Sequence, residues 1–345
     1  IMKACNRSLR VIAFDEPTAS LSDKEIVSLY KVIRRLKQEG KIIIYVSHRM
    51  KEIFEISDRI IVFKDGKFVD NVATEQVDEN ELVQLMVGRD LGDVFKNLDR
   101  CTTHGDYILE VNQLKSDYIT DISFKLRAGE ILGFAGLVGA GRSETAQAIF
   151  GADQVHGGSI HFEGKPVKIT SPGKAIEMGI ALCPEDRKTQ GLVLQRSVKE
   201  NFSMPIINRF VGKIFINHSL EKKTCLEGIN ALSVKTPSID QSVIKLSGGN
   251  QQKIIIARWL ASKPKILILD EPTKGIDVGA KAEIYKLICN IAKQGIGVIL
   301  ISSELPELIG LSDRIIVMGQ GEIKGELQRH EANEARILKY AMDGM

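Results

Sequence analysis

Gly136, Gly139 and Gly141 stand in the run Gly136-Leu137-Val138-Gly139-Ala140-Gly141-Arg142-Ser143, followed by Glu144. The spacing is that of GxxxxGK[ST], with arginine where lysine is expected. Glycines let backbone N–H groups converge on phosphate oxygens, and the amino end of a following helix adds a favourable dipole. Gly136, Gly139, Ala140, Gly141, Arg142, Ser143 and Glu144 are therefore expected to hold a phosphorylated ligand, with the Ser143 hydroxyl on Mg²⁺. Arg142 keeps the charge, but a planar fork on a longer stem does not replace a compact ammonium. Binding can survive that change while placement of a transferring phosphoryl group suffers. Asp270 and Glu271 close the apolar run Ile266–Leu269. Asp270 is expected to hold Mg²⁺ through water, and Glu271 to orient or deprotonate the attacking water. Asp15 and Glu16, after Val11–Phe14, are expected to divide the same roles.

The second acidic pair is no accident of composition. Val11-Ile-Ala-Phe-Asp15-Glu16-Pro17-Thr18 recurs 255 residues later as Ile266-Leu-Ile-Leu-Asp270-Glu271-Pro272-Thr273. Without a gap, the same offset pairs Tyr30-Lys31 with Tyr285-Lys286, Gly40 with Gly295, and Asp58-Arg59 with Asp313-Arg314. Repeats of this kind mark a duplicated domain. Leu246-Ser247-Gly248-Gly249 lies 24 residues before Asp270, so a first-copy counterpart falls before residue 1. The first copy is thus expected to be only the carboxy-terminal part of a domain.

The elements that must carry these residues alternate. Val11–Phe14 and Ile42–Val46 read as buried β-branched strands flanking a helix over Lys24–Glu39. Ile60–Phe63 and Phe68–Val69 read as a hairpin around Asp65-Gly66. A helix is expected from about Glu75 to Met86, and a linker over Leu98–Asp106. A strand opens the second domain at Tyr107–Val111, the strand Glu130–Ala135 leads into the glycine loop, and the helix Glu144–Phe150 follows it. The fold class is α/β with mostly parallel strands and a helical insertion between about Val198 and Lys245. The expected domains are 1–97, a linker at 98–106, and 107–345.

Bulk properties exclude more than they assign. The 345 residues are 43% hydrophobic and 26% charged with a formal net charge of +3, too balanced to argue for nucleic acid. No run approaches the roughly 18 apolar residues of a membrane-spanning helix. The five cysteines are scattered without a CxxC pair, so a reducing cytosol fits better than a disulfide framework or a metal centre.

Leu246-Ser247-Gly248-Gly249-Asn250-Gln251-Gln252 resembles the signature that sets ABC ATPases apart from other P-loop NTPases. The resemblance implies that Ser247, Gly248, Gly249 and Gln251 cap the γ-phosphate of ATP held by an opposing domain. An exposed serine, backbone amides and a helix amino end agree with that role. Val46-Ser47-His48-Arg49 resembles the ABC switch segment, which implies contact of His48 with the γ-phosphate and a catalytic role. At the repeat offset His48 aligns with Ser303, so the second copy lacks that histidine. Pro184-Glu185-Asp186-Arg187 takes the place of the Q-loop, with an acid where glutamine is usual, and Tyr118 is the candidate for stacking on adenine.

The strings GLVGAGRSE, PEDRK, LSGGNQQK and DEPTKGIDVGAK resemble the second half of monosaccharide-import ATPases, which are fused two-domain chains; the arabinose importers are most similar. The resemblance implies ATP hydrolysis that energises sugar uptake. It also implies membrane permease subunits and a periplasmic sugar-binding protein as partners, and the cytoplasmic face of a bacterial inner membrane as the place of action. It further implies an intact enzyme with a competent first site and a slower second one. Two other readings compete: an inactive truncated remnant, and a soluble tandem ABC protein acting on ribosomes or DNA. The short linker and balanced charge speak against the last.

Overall fold

The computed structural model describes residues 9–15, 17–18, 23–47, 50–64, 67–79, 81–82, 85, 95–212 and 215–342. They divide into two compact units, one of residues 1–96 with Asp277–Gly279, the other of 97–276 and 280–345.

In the first unit, β1 (Val11–Asp15) and β2 (Ile42–Val46) pair in parallel, and α1 (Asp23–Gln38) connects them. Ile12, Phe14, Leu29, Ile33 and Leu36 form the core between this pair and the helix. After α2 (Met50–Ile56), β3 (Arg59–Lys64) and β4 (Lys67–Ala73) make the expected antiparallel hairpin. The helix expected over Glu75–Met86 is interrupted. A 3₁₀ turn at Thr74–Gln76 is followed by extended Val77, and helical geometry resumes at Glu79. Asp78 forces the restart as a cap. Its carboxylate accepts from the Glu81 N–H at 2.8 Å, and the Glu81 carboxylate accepts from the Asp78 N–H at 3.0 Å.

The second unit stacks a six-stranded sheet and a four-stranded antiparallel one. The smaller sheet has β5 (Tyr107–Lys115) between β6 (Ile122–Arg127) and β8 (Gly157–Phe162), with β9 (Lys165–Val167) at the edge. In β6, Ile122, Phe124 and Leu126 point inward and their neighbours outward, the period-two pattern of a half-buried strand. The larger sheet runs β10 (Ile180–Cys183), β11 (Ile266–Asp270), β12 (Gly297–Ile301), β7 (Ile131–Gly136), β13 (Arg314–Gly319), β14 (Glu322–Gln328). All neighbours are parallel except β13 and β14. Strands β11 and β12 are buried along their whole length, as the continuous apolar runs of a parallel sheet covered on both faces require. Between α5 (Val198–Ser203) and the 3₁₀ turn Val243–Lys245 the insertion is helical, with His218–Ala231 its longest element.

The segment read as a linker belongs to the second unit. Leu98 is buried, Arg100 donates to the Leu311 carbonyl at 2.9 Å, and His104 lies 3.2 Å from Asp313. Its polar residues look linker-like in sequence but find partners at the end of the helix Leu305–Leu311 and in the connection to β13.

Candidate active site

In a parallel sheet the loops beyond the strands' carboxyl ends converge, and binding sites form there. Here β7 delivers the glycine loop, β11 delivers Asp270 and Glu271, and β12 delivers Ser302 and Ser303. The loop leads into the helix α3 (Arg142–Phe150). Gly141 precedes that helix at φ +96°, and Gly139 lies at φ +80° with nothing within 4 Å of where a Cβ would stand. A side chain at either position would strain the turn, and at Gly139 it would fill the open cradle. Gly136 is equally constrained, because a Cβ would meet the Met318 carbonyl oxygen at 2.6 Å. Glu144 is half-buried in the first helical turn. Ala140 accepts from the Gly321 N–H at 3.1 Å, and Gly321 accepts from Thr120 at 3.0 Å. The exposed ring of Tyr118 is thus carried by a loop tied to the glycine loop.

Asp270 is only 3% exposed, and its Oδ1 has no hydrogen-bond partner. The Ser143 hydroxyl lies close enough to this carboxyl to favour its charged form. Burial, reinforced by the Glu185 and Glu271 charges, raises Asp270 to about 7 against the lowering effects of Ser143 and Arg142. A buried, unpaired carboxylate oxygen beside a hydroxyl is the donor set a small hard cation accepts, with its other positions left to water and phosphate. The residues present therefore fit Mg²⁺ accompanying a nucleotide. A cavity of about 370 Å³ adjoins Asp270 and is lined by Gln147, Phe150, Glu185, Arg258 and Trp259 among others.

Glu271 sits at φ +47°, an uncommon backbone conformation for a residue with a Cβ. Its N–H donates to the Ile301 carbonyl at 2.9 Å. Ser303 donates to its Oε2 at 3.0 Å, and Arg142 Nη2 lies 3.8 Å from its Oε1. Arg142 Nη1 also donates to the Ser302 carbonyl at 2.8 Å. The arginine thus spans from the glycine loop to the ends of both β11 and β12.

Beneath this surface lies a group that motif reading missed. Glu307, on α9 (Leu305–Leu311), is 1% exposed. Its Oε2 accepts from Ser302 at 2.6 Å and from Thr273 at 3.0 Å. It ties the turn after β11 to the end of β12. The first unit repeats the arrangement at the same offset: Glu52 accepts from Thr18 at 2.6 Å and from Ser47 at 3.1 Å. The signal was available in the repeat, which preserves the threonine, the serine and the glutamate in both copies.

The signature segment behaves only partly as expected. Ser247 is exposed and precedes α7 (Gly248–Ala261), whose first turn includes Gly248 and Gly249. A Cβ on Gly248 would meet the Arg187 guanidinium at 2.8 Å and the Gly275 carbonyl at 2.9 Å. Gln251 does not face outward. It is buried, donates to the Val243 carbonyl at 3.0 Å and accepts from Arg187 at 3.4 Å, because helical spacing turns the fourth residue of α7 toward the insertion. Glu185 pairs with Lys274 at 2.7 Å. Asp186 caps the turn at Arg187–Gly191, and hydrogen bonds from Thr189 and Lys188 hold its pKa below the usual value. Asp15 is exposed at the end of β1. Glu16 and His48 lie outside the described residues.

A glycine loop between a parallel strand and a helix, an Asp-Glu pair ending a second strand, and a signature serine at a helix start define an ATP-binding cassette. The ABC transporter family matches residues 119–274. A solved nucleotide-free ATP-binding cassette from an ABC transporter superposes with a TM-score of 0.59 at 22% identity, covering 69% of this chain and 96% of that one. The arabinose import ATP-binding protein AraG of Mannheimia succiniciproducens is 51% identical, across 99% of this chain and 68% of its own length. The ribose import ATP-binding protein RbsA 2 of Mesorhizobium japonicum is 48% identical, across 99% and 67%. The chain belongs to this family of import ATP-binding proteins of ABC transporters, and it is an ABC-type ATPase. No helix among the described residues is long and apolar enough to cross a membrane.

Proposed function

We propose that the chain binds and hydrolyses MgATP to energise monosaccharide uptake, with L-arabinose as the sugar. The observation that supports the nucleotide site best is the buried, unpartnered Asp270 oxygen beside Ser143 at the mouth of the glycine loop. The likeness to arabinose and ribose import proteins supports the substrate class. Bound Mg²⁺ would neutralise charge on the phosphate oxygens. Ser143 and Asp270 would hold it, the amides of Gly139–Ser143 would cradle phosphate, and Glu271 would orient the attacking water. Tyr118 would stack on the base. Ser247, Gly248 and Gly249 would cap the γ-phosphate of a nucleotide held by an opposing cassette.

The first unit is the carboxy-terminal part of a like domain on this reading, with Asp15, Glu16 and His48 as its catalytic set. The second unit's site, with arginine for lysine and serine for histidine, binds ATP and turns it over slowly. The partners are permease subunits at the cytoplasmic face of the bacterial inner membrane and, through them, a periplasmic sugar-binding protein. The test is uptake of labelled arabinose and ribose in the organism that carries the gene, with Asp270→Asn introduced at the native locus. The reading predicts a loss of arabinose uptake exceeding that of ribose. Unchanged uptake of both would remove the transport assignment, and a larger loss of ribose would reassign the sugar.

A further inference from the structure

Each of the two departures from the usual ATPase pattern in the second unit, Arg142 and Ser303, contacts the same third residue. Arg142 Nη2 approaches Glu271 Oε1 at 3.8 Å, and Ser303 Oγ donates to Glu271 Oε2 at 3.0 Å. The carboxylate that should serve the attacking water is therefore engaged on both oxygens. The pair is shielded, with only 11% of the Arg142 side chain and 9% of the Glu271 side chain exposed. Ion pairs so removed from water are screened far less than surface pairs.

Residue chemistry explains why these types make the contact. A guanidinium offers several donors in a rigid fork, so Arg142 can bond the Ser302 carbonyl at 2.8 Å through Nη1 while Nη2 faces Glu271. A lysine ammonium is a single point charge and cannot occupy both positions. Serine at 303 is short enough to bond the carboxylate without filling the space between β11 and β12, whereas a histidine brings a ring. The backbone cooperates: Glu271 is held at φ +47° by its N–H bond to the Ile301 carbonyl.

We propose that Arg142 and Ser303 are positioning residues that together hold the Glu271 carboxylate on the glycine loop's own cation, so that nucleotide entry must exchange that carboxylate for phosphate on Arg142. This rests on the nucleotide-binding reading above and deepens it. The slow site is slow because its base is tethered and its loop cation is already paired. Binding at this site is weakened by the energy of that pair, and relieving the pair tightens it.

The experiment is calorimetric titration of the 345-residue chain with MgADP, which has no γ-phosphate for an opposing signature loop to grip. Glu271→Gln keeps shape and removes the charge; it should tighten MgADP about fivefold, the scale of one shielded charge pair. Ser303→Ala should tighten it about twofold, since one tether remains. The deciding arm repeats Glu271→Gln in an Arg142→Gln background. There the gain should fall below about 1.5-fold, because the charge it released is gone. A full gain in that background would mean that Glu271 acts by long-range repulsion of phosphate, and would overturn the pairing. Unchanged or weaker binding in Glu271→Gln would overturn it too, and unchanged affinity in Ser303→Ala would remove the serine from it. A wild-type chain that does not bind MgADP would instead sink the nucleotide-binding reading on which the proposal stands.

Discussion

The turn after β1 and the turn after β11 are two builds of one design, and they differ in what surrounds them. Their elements match residue for residue at the 255-residue offset, down to the register of β1 with β2 against β11 with β12. Even the irregularity in the hairpin recurs, between Val62 and Phe63 in one copy and Val317 and Met318 in the other. The buried glutamate that ties threonine to serine is present in both. What differs is cover. In the second unit β7 stands between β12 and β13, α3 packs against β7, β10 and β11, and β11 and β12 are buried along their whole length. In the first unit the described residues hold no strand between β2 and β3, and Val11, Ile42, Ile44 and Val46 are about half exposed. Local sequence therefore builds the strand–helix–strand frame by itself, whereas burial of its second face needs a further layer, to which the helix after the glycine loop contributes in the second unit.

The largest expected consequence is in amide exchange. Strands β11 and β12 should exchange at least about a hundredfold more slowly than β1 and β2, because opening the latter exposes only the one face that packs on α1. Equal protection measured by exchange and mass spectrometry would break the comparison.

The clamp offers the next test. Glu307→Ala leaves the Thr273 and Ser302 hydroxyls buried without an acceptor and should cost the second unit about 2–3 kcal/mol in urea unfolding. Glu52→Ala should cost the first unit less, since its strands are only half covered. The opposite ranking would show that the frame, and not the cover, sets the clamp's worth.

A smaller effect separates the two glutamates chemically. In the first unit Tyr45 adds a third donor to Glu52 at 2.8 Å. Its counterpart is Leu300, and Glu307 Oε1 has no partner. Burial raises Glu307 to about 7 against hydrogen bonds from Ser302 and Thr273. A carboxyl with a raised folded pKa holds its proton in the folded state while the unfolded chain has released it. Its contribution to stability is therefore full below about pH 4.5 and is lost as pH rises toward 7. Glu307→Gln should flatten that fall in the second unit's unfolding midpoint. An unchanged slope would mean that Glu307 is ionised in the folded protein at pH 5.

Much of this was legible beforehand. The glycine loop, the Asp-Glu pair and the signature could be read because each is a contiguous string whose backbone geometry is dictated by its own residues, as Gly139 and Gly141 show. The strands of both copies were legible from β-branched runs. Contacts between strings were not. Gln251 sits within a motif yet turns inward to Val243 and Arg187, a matter of helix phase against a neighbour that no local pattern reveals. Leu98–Asp106 is polar enough for a linker, but Asp313 and Leu311 supply partners some two hundred residues away. Ser303 reads as an absence of histidine in sequence and as a bond to Glu271 in the structure.

On the proposed function, Asp270 and Ser143 of the second unit complete a magnesium–nucleotide site at the glycine loop. Titrating ATP into the chain with and without Mg²⁺ tests it most directly. Removing Mg²⁺ should weaken ATP binding by about tenfold or more in the native protein, about 1.4 kcal/mol, and by less than about twofold in Asp270→Asn, whose amide is a poor ligand for a hard cation. A full magnesium dependence retained in Asp270→Asn would mean that the cation is not held by Asp270.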